Sequence, residues 1–159
     1  MKKNITITYD HLSSIDELTN EEQQLIQSAT TSVQNAYAPY SKFKVGAAVL
    51  LDNGEIIIGN NQENIAYPSG LCAERVALFA AKAKYPSANV LKIAIASDGD
   101  LLNKDDFLTP CGACRQVMAE VTKRQDNHFD IILMNNDKTI LVFHRINDLL
   151  PFVFGNSNQ

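Results

Sequence analysis

Two short stretches decide how this chain folds: Cys72-Ala73-Glu74 and Pro110-Cys111-Gly112-Ala113-Cys114. Together they contain all three cysteines of the 159 residues. Three thiolates without a fourth protein ligand are typical of a catalytic zinc site, because a structural zinc normally completes its tetrahedron with four protein ligands. The pattern therefore predicts one zinc ion (Zn²⁺) per chain, bound by Cys72, Cys111 and Cys114, with a position left for a reactive water.

Both stretches are predicted to open helices. Helical spacing extends from Cys72 to Tyr85, and a second helix is expected from Cys111 to about Arg124. Thr109 is a candidate N-cap, with Pro110 at the first helical position, where the missing N–H of proline has no helical partner. Thiols at helix N-termini ionise more readily. We therefore expect two helix N-termini to face each other across one metal ion.

The remaining chain alternates strands with helices. A further helix is predicted to begin at Asn20, with Pro39 as its stop, and a last short one covers Ile146 to Leu150. Asp52-Asn53-Gly54 predicts a hairpin turn. Alternating or continuous apolar residues predict six strands. They are Ile5 to Tyr9, Lys42 to Leu51, Glu55 to Gly59, Val90 to Ser97, Asp130 to Met134 and Thr139 to Phe143.

This alternation of strands and helices indicates an α/β fold with a layered mixed sheet. Residues 1–20 are interpreted as an N-terminal extension that could supply an edge strand, and residues 21–159 as one domain. No internal repeat or second domain is expected.

Composition limits the classes of partner. The net charge is -4, and no basic cluster stands beside interleaved aromatic residues, so a nucleic-acid partner is not expected. Polar residues interrupt any apolar run after Met1-Lys2-Lys3, so no secretion signal is expected. The longest apolar runs fall short of the roughly 18 residues that cross a bilayer. We expect a cytoplasmic protein, because a reducing compartment keeps thiols free for metal, with a small molecule as partner and no membrane.

Glu74 is the predicted proton shuttle. Two residues after Cys72 it is poorly placed to bind the same metal, yet it could reach a water bound there and do general acid–base work. The alternative is a first-turn glutamate that only favours the helix dipole. Three thiolates leave excess negative charge on zinc, so Arg75 and Arg115 are candidates to donate hydrogen bonds to ligand sulfurs; surface salt bridges are their alternative.

The pair Cys111 and Cys114 alone also fits a redox dithiol at a helix start. The addition of Cys72, Glu74 and Pro110 favours zinc, with the dithiol and a closed structural zinc site left as alternatives. The three histidines lie outside these motifs, and packing is their expected role.

These residues resemble the small, homotetrameric cytidine deaminases of pyrimidine salvage, in which a cysteine-glutamate pair and a P-C-x-x-C segment recur. The resemblance extends from Tyr37 to Pro151 and is carried by four motifs. They are Ala38 to Phe43, Asn61 to Asn64, Cys72 to Arg75, and Pro110 to Gln116. It implies a three-layer α/β/α fold with a mixed sheet of about five strands, and hydrolytic deamination of cytidine and 2′-deoxycytidine to uridine and 2′-deoxyuridine, with release of ammonia.

The resemblance also implies the substrate contacts. Asn61 and Glu63 would bind the ribose 3′-hydroxyl, Phe43 would stack on the pyrimidine, and the backbone of Ala73 with the segment before Cys111 would bind the base edge. Amide and carboxylate groups can fix a hydroxyl, and an aromatic face accepts any pyrimidine. Without the resemblance, Phe43 would be interpreted as a core residue of a strand.

A homotetramer with shared active sites is likewise implied by the resemblance. Tyr67 and Phe154 would then contribute to the site of a neighbouring subunit. Without the resemblance, Tyr67 would be a loop anchor and Phe154 a hydrophobic residue of the tail.

Two residues depart from the family pattern. Asn60 and Gln62 stand where the family usually has a cysteine and an aliphatic residue, while Asn61 and Glu63 are kept. The alternatives in function are a deaminase for another aminopyrimidine such as blasticidin S, a polynucleotide-editing deaminase and a structural-zinc interaction module. The acidic balance disfavours the second, and the open metal site disfavours the third.

Overall fold

Six strands form one mixed sheet in a computed structural model that describes residues 1–103 and 106–155. The strands are β1 (Asp10–Leu12), β2 (Lys44–Leu51), β3 (Ile56–Asn60), β4 (Val90–Asp98), β5 (Asp130–Met134) and β6 (Ile140–Phe143). The spatial order is β1-β6-β5-β4-β2-β3. β4 and β5 pair in parallel and the other neighbours are antiparallel.

Three helices cover the two faces of this sheet: α1 (Asn20–Val33), α2 (Ala73–Lys84) and α3 (Gly112–Gln125). Strands buried on both faces have apolar side chains at successive positions. In β4, Ile93 and Ile95 pack with α2 and α3, whereas Ala94 and Ala96 pack with α1. The predicted three-layer α/β/α fold with a mixed sheet is therefore confirmed. None of the helices in the described ranges is long and apolar enough to cross a membrane.

The start of α3 differs from the prediction. Thr109 was expected to cap the helix, with Pro110 inside it, but the N-cap is Cys111, whose backbone is extended. The first helical hydrogen bond runs from the Arg115 N–H to the Cys111 carbonyl. The Pro110 carbonyl instead accepts a hydrogen bond of 2.7 Å from Nε of Arg115. The N-cap therefore lies two positions after the predicted Thr109.

The first strand also lies later than predicted. The alternation of Ile5, Ile7 and Tyr9 suggested a strand there, but pairing with β6 begins at Asp10. In this antiparallel register Tyr9 lies opposite Phe143, the last residue of β6, so residues 5–8 extend beyond the end of that strand. Tyr9 instead stacks on Phe143, with ring centroids 5.4 Å apart.

The predicted last helix, Ile146 to Leu150, is a single 3-10 turn at Ile146–Asp148. The first helix ends at Val33, well before Pro39.

A histidine fastens β1 to the rest of the sheet. Nδ1 of His144 lies 2.8 Å from Oδ1 of Asp130, and Nε2 lies 3.0 Å from Oδ2 of Asp10. These two hydrogen bonds raise the pKa of His144 above its ordinary value. A charged imidazole would therefore bridge β1 and β5.

Two glycines let the helices approach the β2–β3 hairpin closely. A Cβ atom at Gly46 would lie 2.1 Å from the carbonyl oxygen of Ala29 in α1. On the opposite face, a Cβ at Gly59 would lie 2.5 Å from the backbone nitrogen of Ala77 in α2. Real Cβ atoms do not approach backbone atoms so closely, so the hairpin can be held between α1 and α2 only with glycine at both positions.

We expect Gly46→Ala to destabilise the protein by about 3 kcal/mol, because backbone must move to admit the methyl group. For a chain of this size that corresponds to a fall in Tm of about 6–12 °C. Thermal unfolding of the zinc-loaded protein measures it. Gly112→Ala is the matched control, since a Cβ at Gly112 meets no atom within 4 Å. Equal Tm values for the two variants would contradict the close packing of α1 on β2.

Candidate metal centre and its pocket

The three cysteines lie at the N-termini of two helices. Cys72 is the N-cap of α2, Cys111 is the N-cap of α3, and Cys114 lies one turn into α3. Neither cap residue uses its side chain to cap the helix, so both sulfurs are free for another partner. The two helix starts come together as the spacing of the cysteines predicts.

The distances between the sulfurs fit a zinc ion. Sγ of Cys72 lies 3.8 Å from Sγ of Cys111, which lies 3.4 Å from Sγ of Cys114, and all three sulfurs lie within 4.8 Å of one another. Zn–S bonds of about 2.3 Å in a tetrahedron place sulfurs about 3.8 Å apart. Cys114 is fully buried and Cys111 is exposed, so the cluster has an open side.

The three thiols cannot all ionise at these distances unless a cation lies between them. The pKa of Cys72 falls to about 5, first because the Cys114 thiol donates a hydrogen bond to it and then because the Arg75 guanidinium does. The pKa of Cys114 is raised, first because its proton is shared with Cys72 and then because it is buried. A divalent ion placed among the sulfurs would replace the shared protons and allow all three thiols to ionise.

Glu74 occupies the second position of α2, beside the cluster. Its side chain is buried, with 5% of the residue exposed. Burial is the main reason why the pKa of Glu74 rises to about 7, and the charge of Cys72 acts in the same direction. A carboxyl group with such a pKa can both accept and return a proton near neutral pH.

The two predicted arginine donors have different partners. Nη2 of Arg75 lies 3.6 Å from Sγ of Cys72. Arg115 instead donates to two carbonyls, from Nε to Pro110 at 2.7 Å and from Nη1 to Leu149 at 2.8 Å. Arg75 therefore contacts a thiol directly, whereas Arg115 holds the segment in front of Cys111.

A pocket of about 450 Å³ opens beside Cys72. This volume is within the range of sites that bind small organic molecules. Its lining combines polar side chains with apolar surface and comes from three segments of the chain. The residues are Tyr40, Ser41, Asn61, Gln62, Glu63, Asn64, Tyr67, Gly70, Leu71, Cys72 and Arg75.

The backbone of the chain holds Asn61 in a fixed orientation. Its Nδ2 donates to the Phe43 carbonyl at 2.9 Å, and its Oδ1 accepts from the Val45 N–H at 2.8 Å. One amide N–H and one lone pair of the oxygen stay available for a ligand.

Glu63 is fixed on the same side of the pocket. Its carboxylate accepts from the backbone N–H groups of Tyr40 at 2.9 Å and Ser41 at 3.2 Å, and from the Ser41 hydroxyl. Sequence reasoning assigned no role to Tyr40 and Ser41, since only the folded chain brings their turn against Glu63. In the sequence, the only indication of their role was their place in the motif from Ala38 to Phe43.

Other predicted residues are placed around the pocket in different ways. Tyr67 is 76% exposed at the rim, with its ring edge-on to Tyr40 at 6.2 Å between centroids. Ala73 is fully buried at the first position of α2. Phe43 packs partly buried against the core, outside the set of lining residues.

Phe154 is 89% exposed in the C-terminal tail and does not line the pocket of its own chain. The amide of Gln116 holds its backbone, donating to the Phe154 carbonyl at 2.9 Å and accepting from its N–H at 3.3 Å.

The three-layer fold with three clustered thiols at two helix starts defines a zinc protein of the α/β/α class. Residues 19–126 match the family model for the cytidine and deoxycytidylate deaminase zinc-binding region. The chain belongs to this family. Its cofactor is zinc, one ion per chain, and Cys72, Cys111 and Cys114 are the residues that could bind it.

Several known proteins are similar to this chain. A cytidine deaminase of Halalkalibacterium halodurans is 45% identical over 101 residues, which cover 64% of this chain and 72% of the relative. A cytidine deaminase of Mycobacterium tuberculosis is 36% identical over 132 residues, which cover 80% and 84% of the two chains. The crystal structure of cytidine deaminase from Burkholderia pseudomallei superposes with a TM-score of 0.71 at 36% identity, covering 86% of this chain and all of that one.

We expect purified protein to contain about one zinc per chain, and Cys114→Ser to lose it, because the remaining two thiols cannot satisfy a tetrahedral ion. Metal analysis by mass spectrometry measures the stoichiometry. Ala113→Ser is the control: it adds a hydroxyl to the same turn, at an exposed position, and keeps all three thiols. Stoichiometric zinc in Cys114→Ser would contradict this ligand set.

Proposed function

We propose that this protein catalyses the hydrolytic deamination of cytidine and 2′-deoxycytidine to uridine and 2′-deoxyuridine, with release of ammonia. One observation carries the proposal: three clustered thiols and a buried glutamate lie beside a pocket of the size of a small-molecule site, and Cys72 of the cluster lines that pocket. The relatives named cytidine deaminases support the choice of substrate.

Zinc would be bound by Cys72, Cys111 and Cys114. Bound there, it supplies Lewis acidity that makes water a nucleophile near neutral pH. Arg75 would offset part of the negative charge of the thiolates, since its guanidinium lies 3.6 Å from Sγ of Cys72. Arg115 would hold Pro110, and thereby the segment that leads into Cys111.

Glu74 would carry the protons of the reaction. It would accept a proton from the attacking water and deliver it to the pyrimidine nitrogen N3, and then pass the second proton to the leaving amine. One carboxylate can do both because its burial beside the cluster keeps both of its protonation states accessible. Water and cytidine are consumed, and uridine and ammonia are formed.

The remaining pocket residues would orient the nucleoside. Asn61 and Glu63 would bind the 3′-hydroxyl, and their fixed orientation supports this role because a preorganised site loses less entropy on binding. Ala73 would bind the base edge through its backbone N–H, which has no helical acceptor in the first turn of α2. Phe43 would stack on the pyrimidine.

The alternatives have less support. A redox dithiol needs only two cysteines. Here a third, Cys72, has its sulfur 3.8 Å from that of Cys111, which is the separation expected for two ligands of one zinc ion. A polynucleotide substrate calls for a basic groove, and the net charge is -4. A deaminase of another aminopyrimidine would have less need of Asn61 and Glu63, since the proposed role of this pair is to bind the 3′-hydroxyl of a nucleoside.

We expect purified protein to convert cytidine to uridine, measured by the ultraviolet change, with zinc determined on the same sample. Glu74→Gln should keep zinc and lose about 10³-fold or more in kcat, because only the proton path is removed. Glu120→Gln, at an exposed position of α3, is the control. Zinc without turnover of either nucleoside would overturn the substrate assignment, and an active Glu74→Gln would overturn the shuttle.

We further propose a cytoplasmic homotetramer that acts in pyrimidine salvage, with Tyr67 and Phe154 contributing to a neighbouring site. The exposure of both aromatic side chains supports this, since large exposed aromatic groups are typical of interfaces. A reducing compartment would keep the three free thiols available for zinc.

Light scattering should give the mass of four chains. Phe154→Ala should lower kcat/KM by about tenfold if the ring closes a neighbouring site, whereas Phe152→Ala, two residues away and 82% exposed, is the control. Tetramers that mix Phe154→Ala and Glu74→Gln subunits should regain activity, because an intact Phe154 then reaches a site with an intact Glu74. A monomer, or no regain, would contradict shared sites.

A further inference from the structure

The segment from Asn60 to Glu63 has two different faces. Successive side chains of an extended segment point to opposite sides. Asn61 and Glu63 are bonded to the residues around Phe43 and Ser41, on the pocket side. Asn60 is bonded to Ser32 of α1 and to Gln62, and Gln62 also reaches the lining of the pocket.

The bonds on the α1 side form a continuous polar relay of Gln62, Asn60 and Ser32. Nε2 of Gln62 donates to Oδ1 of Asn60 at 2.5 Å, and Nδ2 of Asn60 donates to Oγ of Ser32 at 3.3 Å. The Ser32 hydroxyl donates to the Gly59 carbonyl at 2.7 Å. Ser32 is 1% exposed, so its bonds are shielded from water.

The relay has a single consistent direction. Since the one proton of Ser32 goes to Gly59, its oxygen can only accept from the side of Asn60. Asn60 must then present its N–H to Ser32 and its carbonyl to Gln62. Each amide is therefore held in one orientation, and the relay ends in α1, which packs closely on β2 at Gly46.

Backbone bonds join the same segment to the metal cluster. Gln62 and Leu71 exchange two backbone hydrogen bonds, of 2.9 and 3.0 Å, and Cys72 follows Leu71. On the other side, the backbone N–H of Tyr37 donates to the Asn61 carbonyl at 3.0 Å. The Tyr37 carbonyl accepts from the Glu63 N–H at 2.9 Å. A shift of this segment would move Asn61 and Glu63 relative to Cys72.

We propose that Ser32, Asn60 and Gln62 are positioning residues, which hold Asn61 and Glu63 at the distance from the metal cluster that a nucleoside requires and so set the affinity for its sugar. The inference rests on the proposed function, because it takes the sugar as the ligand of Asn61 and Glu63.

The first test is Asn60→Ala. It removes the centre of the relay and leaves Gln62 and Ser32 without their partner, so we expect KM for cytidine to rise about tenfold. The sugar contacts are expected to be equally strong in the ground state and the transition state, so their loss should leave kcat within about twofold of wild type. The zinc content should be unchanged. Ser32→Ala should have a similar effect. Ser28→Ala is its matched control, a half-buried serine one turn earlier whose hydroxyl donates within α1, to the Gln24 carbonyl.

The choice of substrate separates positioning from general damage. With 2′,3′-dideoxycytidine, which lacks the 3′-hydroxyl, KM should differ by less than about twofold between wild type and Asn60→Ala. A merely structural defect would raise both KM values together. Ser32→Ala, at a position outside the lining of the pocket, provides the same test if Asn60→Ala does not fold.

Rescue completes the experiment. Asn60→Cys and Gln62→Val each leave one relay group unpaired, whereas the double variant replaces both amides by apolar groups and should return KM to within about threefold of wild type. Equal KM changes on both substrates, no change on either, or additive single effects would each overturn the inference. Wild type that is inactive on cytidine would instead overturn the proposed function, and the sugar assignment with it.

Discussion

Two helix N-termini that share three thiols are the constraint on which the rest of this structure depends. The thiols cannot all ionise so close together without a cation, so folding and metal binding are coupled. The sheet makes this meeting possible. β2 is antiparallel to both β3 and β4, and β4 is parallel to β5, so β3, β4 and β5 run in one direction. α2 follows β3 and α3 follows β4, so both helices begin at the same edge of the sheet.

The pocket is rigid because its polar side chains are bonded before any ligand arrives. Asn61 is bonded on both sides to the start of β2, and Glu63 holds the turn at Tyr40 and Ser41. Close packing at Gly46 and Gly59 holds the hairpin that carries them between α1 and α2. Rigid elements on both sides of the loop explain how the pocket can keep one shape.

The N-terminal extension belongs to the sheet rather than to the site. The family match begins at residue 19, whereas β1 lies before it and pairs with β6. The extension is fastened by His144 to Asp10 and by the Thr8 N–H to Asp148 at 3.3 Å. It also reaches Phe107, four residues before Cys111, through an edge contact of His11 at 5.8 Å. A three-residue strand that covers β6 leaves only a short edge for pairing with other chains.

The sequence by itself determined the layered α/β class, the three thiols with Glu74, and most strands and helices, because these follow from local periodicity and from the spacing of reactive residues. Tertiary structure decided the rest. It placed the first strand at Asp10, since pairing with the distant β6 sets its position, and it placed the N-cap of α3 at Cys111 rather than at Thr109. It also brought Cys72 to within 3.8 Å of a thiol 39 residues away and turned Arg115 from the sulfurs to carbonyls. Local pattern encodes an element and its chemistry, whereas distances between elements arise only when the sheet order and the packing of its two faces are fixed.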